Sequence, residues 1–307
     1  AICAYAVVMY NSLKRKSKRS RAALSPPDAS PWRKLLSRGD AKSFLTMTGM
    51  TRCAFRLLLK DLWDVPNPPP SVGRPSLLTN EDKLGLILFY LGSKMTLSEL
   101  SILFGVSVSL CGEIVVEMLE LLCKRLKNHP DAKISFPGPE KKAEYAAMIY
   151  DREPTVDNCI GFIDSCSVAT QCSDNADADD TIINNLFAFA PDGKIVFACI
   201  NYAGSLPDTA IFSELINVCL ERKKLGDNSF CVDEDFPRSG DLYSKLIGPI
   251  SEKKRKKLAR RLHNDAVDQF DVYSSLRLAS DWGMNALQGT FSRLQSPLSS
   301  DSKKRLN

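Results

Sequence analysis

The chain has 307 residues, 44% hydrophobic and 25% charged, with a formal net charge of +5. That length holds one large domain or two of ordinary size, and the composition is that of a soluble globular protein, which excludes disordered and collagen-like chains. The mild basic excess permits contact with nucleic acid without requiring it.

The opening run from Ala1 to Tyr10 is apolar but too short to span a membrane. Basic residues follow it rather than precede it, which argues against a secretory signal. A start at Ala1 rather than at Met is expected of a fragment or an imperfect gene model. Lys14-Arg15-Lys16-Ser17-Lys18-Arg19-Ser20-Arg21 is a dense basic cluster within a disordered, Ser/Pro-rich tail expected over 1–37. There it reads as a nuclear-localisation signal, and nuclear localisation is the expectation.

A helical domain is expected over 38–150. Phe55, Leu58, Leu59 and Leu62 share one helix face, and Pro66-Asn67-Pro68-Pro69-Pro70 with Gly73-Arg74-Pro75 reads as a linker. A helix from Asp82 to Gly92 follows. Thr96 and Glu99 form a capping box, Gly105 makes a turn after Phe104, and Ser107 caps a longer helix through Leu126. Helix, glycine turn and Ser-initiated helix together read as a helix-turn-helix. The second helix carries Glu113, Glu117 and Glu120, whose charge opposes phosphate. Packing or dimerisation is therefore expected of it ahead of DNA contact.

From about Glu153 the pattern turns to short strands at Ile160–Ile163, Ile182–Phe189, Ile195–Ile200 and Phe230–Val232. Pro191-Asp192-Gly193 joins the second and third as a hairpin, and a helix from Asp208 to about Arg222 leads to the fourth. Antiparallel strands, a crossover helix, another strand and then helices are the order of a ribonuclease-H-like α/β domain, expected over 151–307.

The 10 cysteines include no Cys-x-x-Cys pair, and most lie in apolar runs, as Cys123, Cys199 and Cys231 do. Buried free thiols in a reducing compartment account for them. With only His129 and His263 as imidazoles and no ligand spacing, neither a zinc site nor a Ser-His-Asp set is expected. No Gly-rich phosphate loop is present either.

Three aspartates carry the chemistry. Asp164 ends the apolar run Cys159–Ile163, Asp233 ends Ser229–Val232, and Asp281 opens the helix-like stretch 281–289. Carboxylates delivered by two strands and a helix suit two hard cations, Mg²⁺ or Mn²⁺, which activate water and stabilise a leaving oxygen in phosphodiester chemistry. Taken singly, each aspartate reads first as a turn residue after a strand, and the three gain weight only from their surroundings.

The surrounding stretches resemble the PIF/Harbinger-like transposases of the DDE superfamily endonuclease group, their fungal-type branch above all. They are Gly161-Phe162-Ile163-Asp164, Asn184 to Ile195, Gly204-Ser205-Leu206-Pro207-Asp208, Val232-Asp233-Glu234-Asp235-Phe236-Pro237, and Ala279 to Leu294. The resemblance implies a metal-dependent DNA endonuclease and strand transferase with Asp164, Asp233 and Asp281 as catalytic acids and metal ligands. Asp208 matches a further acid, as a ligand or a helix cap. The basic run Lys253, Lys254, Arg255, Lys256 and Lys257, with Arg260 and Arg261, would hold DNA phosphates. Partners expected are DNA, a separate DNA-binding protein and a second copy of the chain, with no membrane.

Departures from the family pattern support an alternative, a catalytically inactive domesticated transposase that binds DNA or protein. The third acid is Asp281 where Glu is common, and Ser165-Cys166-Ser167 replace Gly-Thr-His. Pro207 stands where a His is common, and acidic Asp174, Asp177, Asp179 and Asp180 replace a basic stretch.

Overall fold

A computed structural model describes residues 24–64, 76–169, 182–204, 225–233, 236, 245–249 and 260–297. The chain divides into two compact units, Ala1–Arg125 and Leu126–Asn307. The division falls well before the expected boundary at 150.

The first unit is helical: α1 Pro31–Arg38, α2 Ala41–Thr48, α3 Arg52–Trp63, α4 Asn80–Gly92, α5 Leu97–Phe104 and α6 Val108–Leu126. Helix α1 falls inside the expected tail. Ser30 accepts from the Arg33 amide and Pro31 opens the helix, a favourable start. Its Trp32, 1% exposed, is the hub of the core. The rings of Phe44, Phe55, Phe89 and Phe104 lie 5.4 to 6.4 Å from it. A buried carboxylate fixes this hub. Asp82 accepts from Trp32 Nε1 at 2.9 Å, from Arg33 at 2.7 Å and from the Thr79 amide at 2.9 Å. Arg52 donates to the carbonyls of Leu35, Leu36 and Gly39, closing the end of α1.

The helix-turn-helix forms as its local signals dictate. Thr96 and Glu99 make the reciprocal capping box. Gly105 takes the left-handed conformation at φ 70° that ends α5, and Ser107 accepts from the Leu110 amide to start α6. The two helices meet at a bend of 98°. The expected linker at 66–75 lies outside the described residues. Cys123, expected to be buried, is exposed.

The second unit opens with α7 Pro139–Arg152, which the sequence reading had placed in the helical domain. Its Tyr145 is buried against the sheet, beside Ile160, Ile163 and Phe230. The strands are β1 Cys159–Ala169, β2 Ile182–Phe189, β3 Ile195–Ala203, β4 Ser229–Cys231 and β5 Leu246–Ile247. Their order is β3-β2-β1-β4-β5, with β1, β2 and β3 antiparallel and β4 and β5 parallel to β1. This mixed sheet with flanking helices is the ribonuclease-H-like arrangement expected.

The β2–β3 turn closes through Ala190 N–H to the Lys194 carbonyl and Gly193 N–H to the Ala190 carbonyl, with Gly193 at φ 84°. Strand β1 runs five residues past Asp164, so this aspartate lies within the strand and not at its end. Polar Ser165 and Ser167 stay extended because β2 pairs with them, and Ser167 donates to Asn184 Oδ1 at 2.7 Å. Strand β5 had no counterpart in the sequence reading. The expected helix from Asp208 to Arg222 lies outside the described residues.

The last helix, α8, spans Arg260–Thr290. Asp281 therefore sits deep inside a helix of 31 residues rather than at its opening. Among the described residues no single helix is long and apolar enough to cross a membrane.

Candidate active site

The two faces of the sheet follow from strand alternation. One face of β1 and β2 carries Ile163, Leu186 and Ala188 into the core beside α7. The other carries Phe162, Asp164, Cys166 and Val168, and α8 covers it. Leu276 packs in one cluster with Phe162 and Cys231, and Met284 in another with Cys166, Val168 and Phe189. Helix α8 thus runs alongside β1 in the same direction, and Asp164 lies between the two clusters.

Gln288 Nε2 donates to Cys166 Sγ at 3.0 Å, which fixes the level of the helix on the strand. Asp281 precedes Gln288 by seven residues, two turns, so the two share one flank of α8. Seven residues of helix span about 10 Å. The two from Cys166 back to Asp164 span about 7 Å of strand. Asp281 is therefore level with Asp164 to within about one strand residue.

Asp233 is set by register. Strands β1 and β4 are parallel with Phe162 opposite Cys231. Two residues further along each chain come Asp164, still within β1, and Asp233, two residues past the end of β4. Cys231 shares a cluster with Leu276, so its face is the one beneath α8. All three aspartates are half-buried.

Ser165 N–H donates to Asp164 Oδ1 at 2.8 Å and holds that carboxylate against its own strand. Burial raises the Cys166 thiol above its usual value, with the Asp164 charge adding to the effect and the Gln288 hydrogen bond opposing it. The influence of Asp164 on Cys166 puts the carboxylate within electrostatic reach of the thiol. A thiol kept protonated is a poor metal ligand. In type, carboxylate oxygens suit a hard cation rather than zinc. Among the described residues, no three His, Cys, Asp or Glu side chains close on one point as a ready-made cage.

Asp208 and Lys253 to Lys257 lie outside the described residues. Arg260 and Arg261 open α8, and their side chains also lie outside them. Gln288 and Cys166 went unread in the sequence as members of the site; the seven-residue spacing from Asp281 was the available signal.

Residues 164–307 match the family described as DDE superfamily endonuclease, and residues 75–128 match the helix-turn-helix of DDE superfamily endonuclease. No curated protein matches the chain. Two solved structures were aligned with it, a pre-cleavage Mos1 transpososome and a Mos1 transposase paired-end complex with left transposon end. Both are 9% identical with a TM-score of 0.21. The alignments cover 80% and 84% of this chain and 95% and 90% of the respective Mos1 chains. Superposition at that level says nothing about fold or chemistry. The two matched segments are those of a transposase-type DDE protein, the superfamily's helix-turn-helix ahead of its endonuclease domain.

Proposed function

We propose that the protein is a divalent-metal-dependent DNA endonuclease and strand transferase of the PIF/Harbinger type, acting in the nucleus, with Asp164, Asp233 and Asp281 as its catalytic acids. The observation that supports this reading is the parallel pairing of β1 with β4 beneath α8, with Asp164 within β1, Asp233 two residues past the end of β4 and Asp281 within the covering helix. Bound there, Mg²⁺ or Mn²⁺ would activate a water and stabilise the leaving oxygen of a phosphodiester.

The chain's own residues prepare that site. The Ser165 amide orients Asp164. The Gln288–Cys166 hydrogen bond and Met284 seat α8 so that Asp281 stays level with β1. Asp208 is a further candidate ligand. Lys253, Lys254, Arg255, Lys256, Lys257, Arg260 and Arg261 would hold the DNA backbone by charge, without reading its sequence. A second copy of the chain and a separate DNA-binding protein are the proposed partners, the latter supplying specificity that an acidic α6 does not.

A second reading is a binding module of the same fold without catalysis. It is favoured by the absence of a closed three-donor group among the described residues and by the shorter third acid, Asp281. Nicking of supercoiled DNA in Mn²⁺ separates the two. The nuclease reading expects nicking by the wild-type chain and none by Asp233→Asn. No nicking by either protein while DNA is still bound supports the binding module, and equal nicking by both refutes the role given to Asp233.

A further inference from the structure

The solvent side of α8 carries an indole that the packing of the helix does not use. Trp282 is 77% exposed, although Trp side chains are highly buried on average. Leu276 and Met284 mark the side of α8 that packs on the sheet. Successive helical residues are rotated by about 100°, so Trp282 faces away from both. Leu278, one turn earlier, is 55% exposed, and Ala286, one turn later, is exposed as well. The indole is thus the centre of a short apolar stripe.

What the stripe adjoins decides its use. Asp281 immediately precedes Trp282, their Cα atoms about 3.8 Å apart. Asp281 is half-buried on the flank of the helix, and Trp282 lies about 100° further round. Asn285, Leu278 and Gly289 fall between the two on the helix surface. All three are exposed and uncharged, and a Cβ on Gly289 would meet nothing within 4 Å. A nucleic-acid strand along this face meets neither bulk nor like charge there before it reaches Asp281.

A second copy of the chain is the poorer occupant. One Trp buries about 150–250 Å², whereas a stable protein interface takes about 800 Å² from each partner. Leu278 and Ala286 do not close that gap. A nucleobase needs only one exposed aromatic face, and stacking on it is tolerant of sequence.

We propose that Trp282 is a substrate-positioning residue, a platform on which an unpaired nucleobase of the DNA stacks beside the phosphate at Asp281. The assignment rests on the nuclease reading, which brings that phosphate to Asp281. Bases inside a duplex are covered by their neighbours, so the platform takes a base only from a single-stranded stretch or an opened end. It fixes the strand relative to the acids without reading its sequence.

Binding of the full chain to labelled duplex DNA, blunt or with a thymidine overhang, tests this in EDTA, where no cation-dependent cut occurs. Trp282→Ala should weaken binding of the overhang DNA about tenfold and leave the blunt duplex unchanged; Trp282→Phe should restore most of the loss. Overhang DNA should quench the wild-type Trp fluorescence, and that quenching should be lost in Trp282→Phe, which retains Trp32 and Trp63. Equal binding of overhang DNA by wild type and Trp282→Ala would overturn the proposal. So would a loss shared equally by the blunt duplex, or a wild-type dimer that Trp282→Ala converts to monomer in sedimentation. If Trp282→Ala does not fold, the quenching in wild type against Trp282→Phe decides. Nicking of supercoiled DNA in Mn²⁺ reads the nuclease activity separately. Nicking by the wild type with overhang binding indifferent to Trp282 refutes the platform alone. Overhang binding that depends on Trp282, without nicking, refutes the nuclease alone.

Discussion

Replacing Gly283 with alanine should press α8 away from the sheet that carries Asp164. A Cβ at this position would lie 2.8 Å from Cγ and Cδ1 of the Phe189 ring and 3.0 Å from its Cε1. Carbon atoms in contact prefer about 3.5–4.0 Å, so ring or helix must give by about 0.7 Å. Phe189 is 3% exposed and wedged among Cys166, Val168 and Met284, with little room to retreat. Overpacking of this kind costs about 1–3 kcal/mol, against about 1 kcal/mol gained when alanine replaces glycine within a helix. Gly289 is the control: it lies in the same helix, and its Cβ would meet nothing within 4 Å. Gly289→Ala should therefore gain up to about 1 kcal/mol. The two variants should differ by about 1–3 kcal/mol, several degrees in melting temperature by thermal unfolding. Mn²⁺ binding should weaken in Gly283→Ala alone, because Asp281 lies two residues away. Equal stabilisation by both alanines, with unchanged Mn²⁺ binding, would refute the packing of α8 described here.

Asp82→Ala should cost about 3–5 kcal/mol in urea titration, because it leaves Arg33 and Trp32 Nε1 without their buried acceptor. Gln288→Met keeps the side-chain volume but removes the donor to Cys166; calorimetry should show Mn²⁺ affinity falling about tenfold, as when a supporting shell is lost. Burial, then the hydrogen bond to Asp192, pushes the Tyr145 phenol up to about 12. The unfolded phenol ionises near 10, so this contribution is complete below pH 10 and is lost as pH rises towards 12. Tyr145→Phe should flatten the fall in melting temperature across that window. Iodoacetamide at pH 8 should label exposed Cys53 and Cys123 in the native chain and spare Cys111 and Cys159, whose thiols burial raises to about 11.

Elements built from local chemistry were legible in the sequence. Thr96, Glu99, Gly105 and Ser107 set the two helices of the helix-turn-helix within a few residues of one another. Pro191-Asp192-Gly193 did the same for the hairpin. Elements that depend on distant partners were not. Ser165 and Ser167 interrupt the apolar pattern of β1, and only pairing with β2 keeps them extended. Strand β5 is two residues long and has no pattern of its own. The polar opening of α8 hid a helix that begins 21 residues before Asp281. Trp32 stands in a segment whose Ser/Pro and basic content reads as tail, although four aromatic rings surround it. At the candidate site the acids announced themselves by charge after apolar runs. Gln288 is neutral, and only the fold reveals its bond to Cys166.

The central claim, that Asp164, Asp233 and Asp281 form one acidic site for a hard divalent cation, is tested most directly by Mn²⁺ calorimetry on the full chain and on Asp164→Asn. The account predicts micromolar to sub-millimolar binding by the wild-type chain, about 4–8 kcal/mol, and none by the variant. Absence of binding in both, or binding that Asp164→Asn leaves unchanged, would contradict it.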